Sequence, residues 1–294
     1  MTSKRDRLIG AGTQVATEVS INFGSAVAGL LIPVVGAVVV VAVRQVITAI
    51  AVLPFYRPKR RELTWRRLWP ALALGVVLAT MNLSFYEAVG RLGLGIAATI
   101  EFLGPFALAL AGSRRLFDFA CAVVAAAGVV LLTGTTGTID GLGVVFALMA
   151  AASWAAYILL TRRVAVGLPG LEGLSVASVV ATVILLPIAL IVVDYSKLDL
   201  RVIALLVSAG VLSSAIPYSL DTFILRRIPP RLYAIITSFG PVIAAIFGVL
   251  VLGESFTPVQ VTGIVVVCLA AGVTIATQRE HPRSDLETTA ESLT

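Results

Sequence analysis

The sequence predicts an all-α polytopic membrane protein, with ten transmembrane helices arranged as two inverted five-helix repeats. Three observations predict it. Of 294 residues, 59% are hydrophobic and 13% charged, with a mean hydropathy of +1.02; a soluble chain carries about 25% charged residues. The apolar residues fall into ten stretches close to the roughly 20 residues that cross a hydrocarbon core. The chain also repeats itself. Phe102–Gly112 reads FLGPFALALAG and Ser238–Gly248 reads SFGPVIAAIFG, and a second echo follows each, AAAGVVLLT at Ala125–Thr133 and LAAGVTIAT at Leu269–Thr277.

The ten spans lie at 8–28, 34–54, 68–90, 92–112, 116–134, 141–161, 172–193, 202–224, 231–252 and 257–277. The basic MTSKRDR before span 1 has the character of a signal-peptide start. Glu18 inside the stretch and the lack of a small-x-small cleavage site read instead as a retained helix. Gly and Pro recur within the spans, as is usual in membrane helices. Span 10 has the best-marked start: Thr257 as cap, Pro258 in the first turn and Gln260 completing a capping box.

Lys and Arg give the topology. Eighteen of the 22 fall at the N-terminus, at the C-terminus or in alternate connections, three (Arg91, Lys197, Arg201) fall on the other side, and Arg44 lies within a span. That bias is expected of ten spans with both termini cytoplasmic in the cytoplasmic membrane. Five helices per repeat force the second repeat to insert upside-down. The predicted organisation is therefore a first repeat over 1–134, a second over 141–277, and a polar, disordered cytoplasmic tail over 278–294.

Several classes of chemistry are unsupported. The single histidine, His281, lies in the tail, which removes the usual routes to a His-metal site or a Ser-His-Asp triad. Cys121 and Cys268 fall inside spans and read as small apolar residues rather than a disulfide. No G-x-x-x-x-G-K-[ST], G-x-S-x-G or H-E-x-x-H occurs. The net charge of +6 follows the loops, without interleaved aromatics, and argues for a lipid bilayer rather than nucleic acid as partner. No cofactor or metal is expected. A monomer and a homodimer both remain open.

An ionisable group inside a span is costly unless it faces a cavity or a partner, so each is a functional candidate. Five qualify: Glu18, Arg44, Glu87, Glu101 and Asp221. Glu101 lies about 14 Å into span 4 at 1.5 Å per residue, near the midplane. Gly104 and Pro105 follow and should kink the helix, as Gly240 and Pro241 should in the second repeat. Glu101 reads as an anchor for an ammonium group or a proton, or else as a structural partner of Arg44. Its counterpart in the second repeat is Thr237.

Glu18 and Asn22 share a face of span 1, extended by Ser25, which suits either a cavity wall or an interhelical hydrogen-bond seam. Glu87, four residues before Arg91, and Asp221, near Arg226, occupy corresponding places on opposite membrane faces. They read as alternating gates or as helix-end charges reaching water. Asn82 with Tyr86, Trp154 with Tyr157, and Tyr218 with Asp221 form further polar or aromatic faces, and Tyr233 opens span 9. Pocket lining and packing both fit them.

The segment MNLSFYEAVGRLGLGIAATIEFLGPFALALAGSRRLFDF, Met81 to Phe119, resembles the first repeat of the threonine/homoserine exporters, in the EamA-domain branch of the drug/metabolite transporter superfamily. Ser213 to Val261, with SSAIPYSLDTFILRRIPPRLYAIITSFGP and LGESFTPVQV, resembles the second repeat, and the likeness runs over nearly the whole chain. It implies a secondary exporter of small metabolites, amino acids such as threonine or homoserine first, driven by the proton gradient. The acid of the family's EFLGP motif would be Glu101. Where the family often carries Glu before the second proline, this chain has Gly240. The expected cycle rocks the repeats about a midplane cavity lined by spans 1, 3, 4, 6, 8 and 9. A broad exporter of apolar or cationic compounds is the alternative. An intramembrane enzyme would need a convergent catalytic set, which is not visible, and a scaffold would need no mid-depth carboxylates.

Overall fold

The computed structural model describes residues 4–57, 64–111, 116–133, 140–168, 171–225 and 227–277. The predicted tail, 278–294, lies outside the described residues. Thirteen α-helices make up the described chain: α1 Lys4–Val35, α2 Ala37–Val52, α3 Trp65–Leu92, α4 Leu94–Glu101, α5 Leu103–Ala111, α6 Leu116–Thr133, α7 Gly141–Gly167, α8 Glu172–Val192, α9 Leu200–Gly210, α10 Ile216–Leu225, α11 Pro230–Thr237, α12 Gly240–Leu252 and α13 Pro258–Thr277. They correspond to the ten spans, with spans 4, 8 and 9 each built from two helices. Among the described residues, nine segments are long and apolar enough to cross a membrane, and α2, with 16 residues, is shorter.

Helix ends follow local chemistry. The Asp140 carboxylate accepts hydrogen bonds from the amides of Leu142 and Gly143 at 2.9 and 3.2 Å and starts α7. Asp199 caps α9 through the Val202 amide at 2.7 Å. The predicted capping box of α13 forms: the Thr257 amide donates to Gln260 Oε1 at 2.9 Å, and the Gln260 amide to Thr257 Oγ1 at 3.3 Å. Span 1 extends past its predicted end to Val35, and Gly36, at φ +83°, sets the boundary that shortens α2.

Proline breaks three spans, each in a consistent way. A proline has no N–H for the carbonyl four residues earlier. Pro105 withholds one from Glu101, Pro241 from Thr237 and Pro217 from Ser213. The first two spans break at Phe102 and at Ser238–Phe239, a few residues before the predicted Gly-Pro hinges. The third contains a π-helical turn at Val211–Ala215, which sequence patterning does not mark.

Small residues carry the close helix contacts, as expected where lipid tails rather than water surround the bundle. A Cβ on Gly263 in α13 would stand 2.7 Å from the Gly128 oxygen in α6. A methyl on Gly104 would overlap the Ala151 carbonyl oxygen, so α5 lies directly on α7. Gly104→Ala is therefore expected to lower stability by about 1–3 kcal/mol through overpacking, read as thermal unfolding in detergent. The outward surface is apolar, with Val183, Ile191 and Leu250 exposed, which suits a bilayer.

The packing pattern relates the two halves. If each span of the first half is exchanged for the span five later, the pairs α2–α8 and α6–α13 map onto themselves, as does the packing of span 4 on span 9, made through α4 and α12. The packing of α3 on α7 maps onto that of α1 on α9 and α10, and that of α4 and α5 on α7 maps onto that of α1 on α11 and α12. Both members of each exchanged pair occur.

Candidate functional site

The three broken spans converge on a cavity of about 260 Å³. Its wall holds Glu101, Ser213 and Thr237, each the residue four before a helix-breaking proline, and Gly240 and Pro241 as well. Interrupted helices at membrane depth expose backbone polar groups only where protein or a water-filled cavity can satisfy them.

Arg44 in α2 organises one side of the wall. It is 7% exposed. One guanidinium NH2 group donates to Asn82 Oδ1 at 3.2 Å; the other donates to Ser214 Oγ at 3.2 Å and to the Ser213 carbonyl at 3.5 Å. That carbonyl is the one Pro217 leaves without its helical partner, so a buried cation takes the place of the missing amide. The charge also lies 4.8 Å from the centre of the Tyr86 ring, within cation–π range.

The acids occupy different parts of the wall. Glu101 ends α4, about 10 Å along the axis from Leu94, and among the described residues no hydrogen bond reaches its carboxylate. The Arg44–Glu101 contact considered from sequence is not made. Described ion pairs include Arg91–Asp140 at 2.9 Å and Lys197–Asp194 at 3.7 Å, and neither involves Arg44 or Glu101. Glu18 is bonded across the halves: Thr237 Oγ1 donates to its Oε1 at 2.7 Å, and Gln14 Nε2 donates to the same oxygen at 3.1 Å.

Asn22, Asn82, Trp154, Tyr157 and Tyr218 also line the cavity, as do Ser25, Phe102 and Tyr233. Trp154 meets Phe102 edge-on at 5.9 Å. Tyr86 is a correction. Fully buried, it stands behind the wall, where its hydroxyl donates to Ser25 Oγ at 3.2 Å and its ring supports Arg44. The bulky ring packs better among apolar neighbours, with its hydroxyl satisfied, than facing a wet cavity.

Glu87 and Arg91 lie apart from this centre. Arg91 pairs with Asp140 at 2.9 Å rather than with Glu87 in its own helix. That hydrogen bond, with the Gly143 amide, holds the exposed Asp140 carboxyl below the ordinary range for an aspartate. Glu87 does not line the cavity. Asp221 is placed in α10, but its side chain lies outside the described part.

Residues 141–276 match the EamA-like transporter family. The threonine/homoserine exporter RhtA of Escherichia coli K12 is 34% identical over 272 residues, covering 91% of this chain and 92% of that protein. RhtA of Salmonella typhimurium LT2 is 34% identical over 265 residues, covering 89% and 90%. The chain belongs to the EamA-like transporter family. A crystal structure superposes with a TM-score of 0.62 over 93% of this chain and 98% of that one; at 17% identity the likeness concerns the fold.

In this member of the EamA-like family an acid from another helix lies beside Gly240. A Cβ on Gly240 would stand 3.4 Å from Glu18 Oε2. The space before the second proline is thus taken by a carboxylate from α1, held by Thr237. Sequence reading named Glu18 and Thr237 separately but could not join residues 219 positions apart. It missed Ser213 and Ser214, whose only available signal was Pro217. It also missed Glu254, which lies in the quoted LGESFTP motif but resembles any solvated loop acid.

Proposed function

We propose that this chain is a secondary exporter of small zwitterionic amino acids, of the threonine and homoserine class, coupled to the proton gradient across the cytoplasmic membrane. One observation carries the reading: a single cavity presents both a fixed guanidinium, Arg44, and carboxylates, Glu101 and Glu18. A zwitterion needs both signs in one enclosure, and charge-assisted hydrogen bonds are the strong ones available to it. The cavity volume of about 260 Å³ lies just under the range of roughly 300–1,000 Å³ typical of drug-sized ligands, which favours a small substrate. Identity to the threonine/homoserine exporters supports the same class.

In this reading the two halves are inverted repeats, both termini are cytoplasmic, and the halves rock about the cavity with the proline breaks as hinges. The exchange symmetry of the packing and the one-sided distribution of Lys and Arg support it. Glu101 carries the proton or anchors the ammonium group, while Arg44 takes the carboxylate.

A second reading, a broad exporter of apolar or cationic compounds, is favoured by the aromatic lining of Phe85, Phe102, Trp154, Tyr157, Tyr218 and Tyr233. Counterflow of labelled threonine into proteoliposomes separates the two. Unlabelled threonine and homoserine are expected to inhibit it at concentrations where cationic dyes do not. Inhibition by dyes alone would reverse the assignment.

A further inference from the structure

One carboxylate joins the two halves outside the cavity, and the cycle above makes no use of it. Glu254 lies in the connection between α12 and α13. Its Oε1 accepts a hydrogen bond from the Leu94 amide at 2.5 Å and its Oε2 one from the Gly95 amide at 3.3 Å. Both amides belong to the first turn of α4, where a helix leaves its N–H groups unpaired and carries partial positive charge.

The surroundings form a shaped seat. Gly93, at φ +84°, turns the chain into α4, and its missing side chain admits the carboxylate: a Cβ there would stand 2.9 Å from Glu254 Cδ. A methyl on Gly248 would overlap Oε2. Phe256 seals the seam between α4 and α12; a Cβ on Gly95 would lie 2.7 Å from its Cζ and 2.9 Å from the Ala245 Cα. Ala26, Leu94 and Ala97, each fully buried, form part of the same apolar cluster. Burial pushes the Glu254 carboxyl above its ordinary range, with the Leu94 and Gly95 amides drawing it back.

This contact lies at one membrane face, away from the mid-depth cavity. Tyr157, Tyr218, Tyr233 and Thr237 line the cavity from the halves of their spans that end at Gly167, Leu225 and Pro230, and Met81, Asn82, Phe85 and Ala98 line it from the opposite halves of theirs. Glu254 follows the other end of span 9. The helix it holds, α4, ends in Glu101.

Resting on the two-sided cycle proposed above, we propose that Glu254 is the latch of the closed membrane face. Its carboxylate clamps the first turn of α4 to the α12–α13 connection while this face is shut, and it lets go when the cavity opens there.

The test reads accessibility, which needs no substrate. In full-length protein with Cys121 and Cys268 replaced by Ala, an Ala97→Cys reporter one turn below the latch is labelled with a membrane-impermeant maleimide, applied to each face of oriented vesicles. Glu254→Ala is expected to raise labelling from the Glu254 face about tenfold, the scale of a lost helix cap that also held two states apart. Glu254→Gln, which keeps one acceptor, is expected to fall between. Gly248→Ala, which crowds Oε2 but keeps the charge, should act in the same direction. A mere cap would lower the melting temperature of these variants and leave labelling unchanged from both faces, and that result overturns the latch. Unchanged labelling with intact threonine counterflow overturns the latch alone, whereas increased labelling without any amino-acid counterflow upholds it and counts against the substrate reading.

Discussion

Glu101→Gln is expected to abolish pH-driven efflux from proteoliposomes while leaving the protein folded. The two halves of that expectation have separate grounds. Glutamine has nearly the shape of glutamate, and no hydrogen bond among the described residues reaches the Glu101 carboxylate, so its loss breaks no internal contact. Melting in detergent should therefore stay close to that of the native chain. Transport loses the only group on α4 that can both carry a proton and attract an ammonium ion. A hydrogen bond to a charged group contributes about 1.5–3 kcal/mol, so about 10- to 150-fold in transport should disappear even where exchange without a pH gradient survives. Efflux at the native rate under the same gradient would remove Glu101 from the mechanism.

Arg44→Ala should have the second large effect, and unlike the Glu101 change it should act on both stability and transport. The guanidinium serves Asn82, Ser213 and Ser214 and lies against Tyr86. Removing it leaves buried acceptors without donors, including the Ser213 carbonyl that Pro217 already deprives of its helical partner. A loss on the order of 2–3 kcal/mol is expected for so central a polar group, together with a rise of about 100-fold in the KM for a zwitterionic substrate. Arg44→Lys separates the two roles. Lysine keeps the charge but lacks the planar fork that reaches several partners at once, so folding should largely recover while KM stays about tenfold above native. A native KM in Arg44→Ala would show that the cation only holds the helices together.

The divided origin of the acids sharpens both predictions. Glu101 and Thr237 occupy equivalent places before the two prolines, yet only the first is ionisable. Glu18 places an acid beside the second site, close to Gly240 and accepting from Thr237. The cavity is chemically asymmetric although its helices exchange as pairs. In the proposed function, that asymmetry would give a zwitterion one preferred orientation.

By itself the sequence determined what the bilayer selects. Apolar runs near 20 residues become spans because unpaired backbone is costly in hydrocarbon, and Lys and Arg sort to one side of the membrane. The capping box at Thr257 and Gln260, the weak points near Pro105 and Pro241 and the mid-depth acids are likewise local, so they can be read without knowing neighbours. What only the tertiary structure decided are encounters across long separations: Glu18 with Thr237, Arg44 with Ser213 and Ser214, Glu254 with the first turn of α4. Tyr86 supports the wall instead of lining it, and Arg91 turns to Asp140 instead of Glu87, for the same reason. Whether a polar side chain in a span faces a cavity, a partner or a ring is set by which helix packs beside it, and helical periodicity within one span does not contain that information.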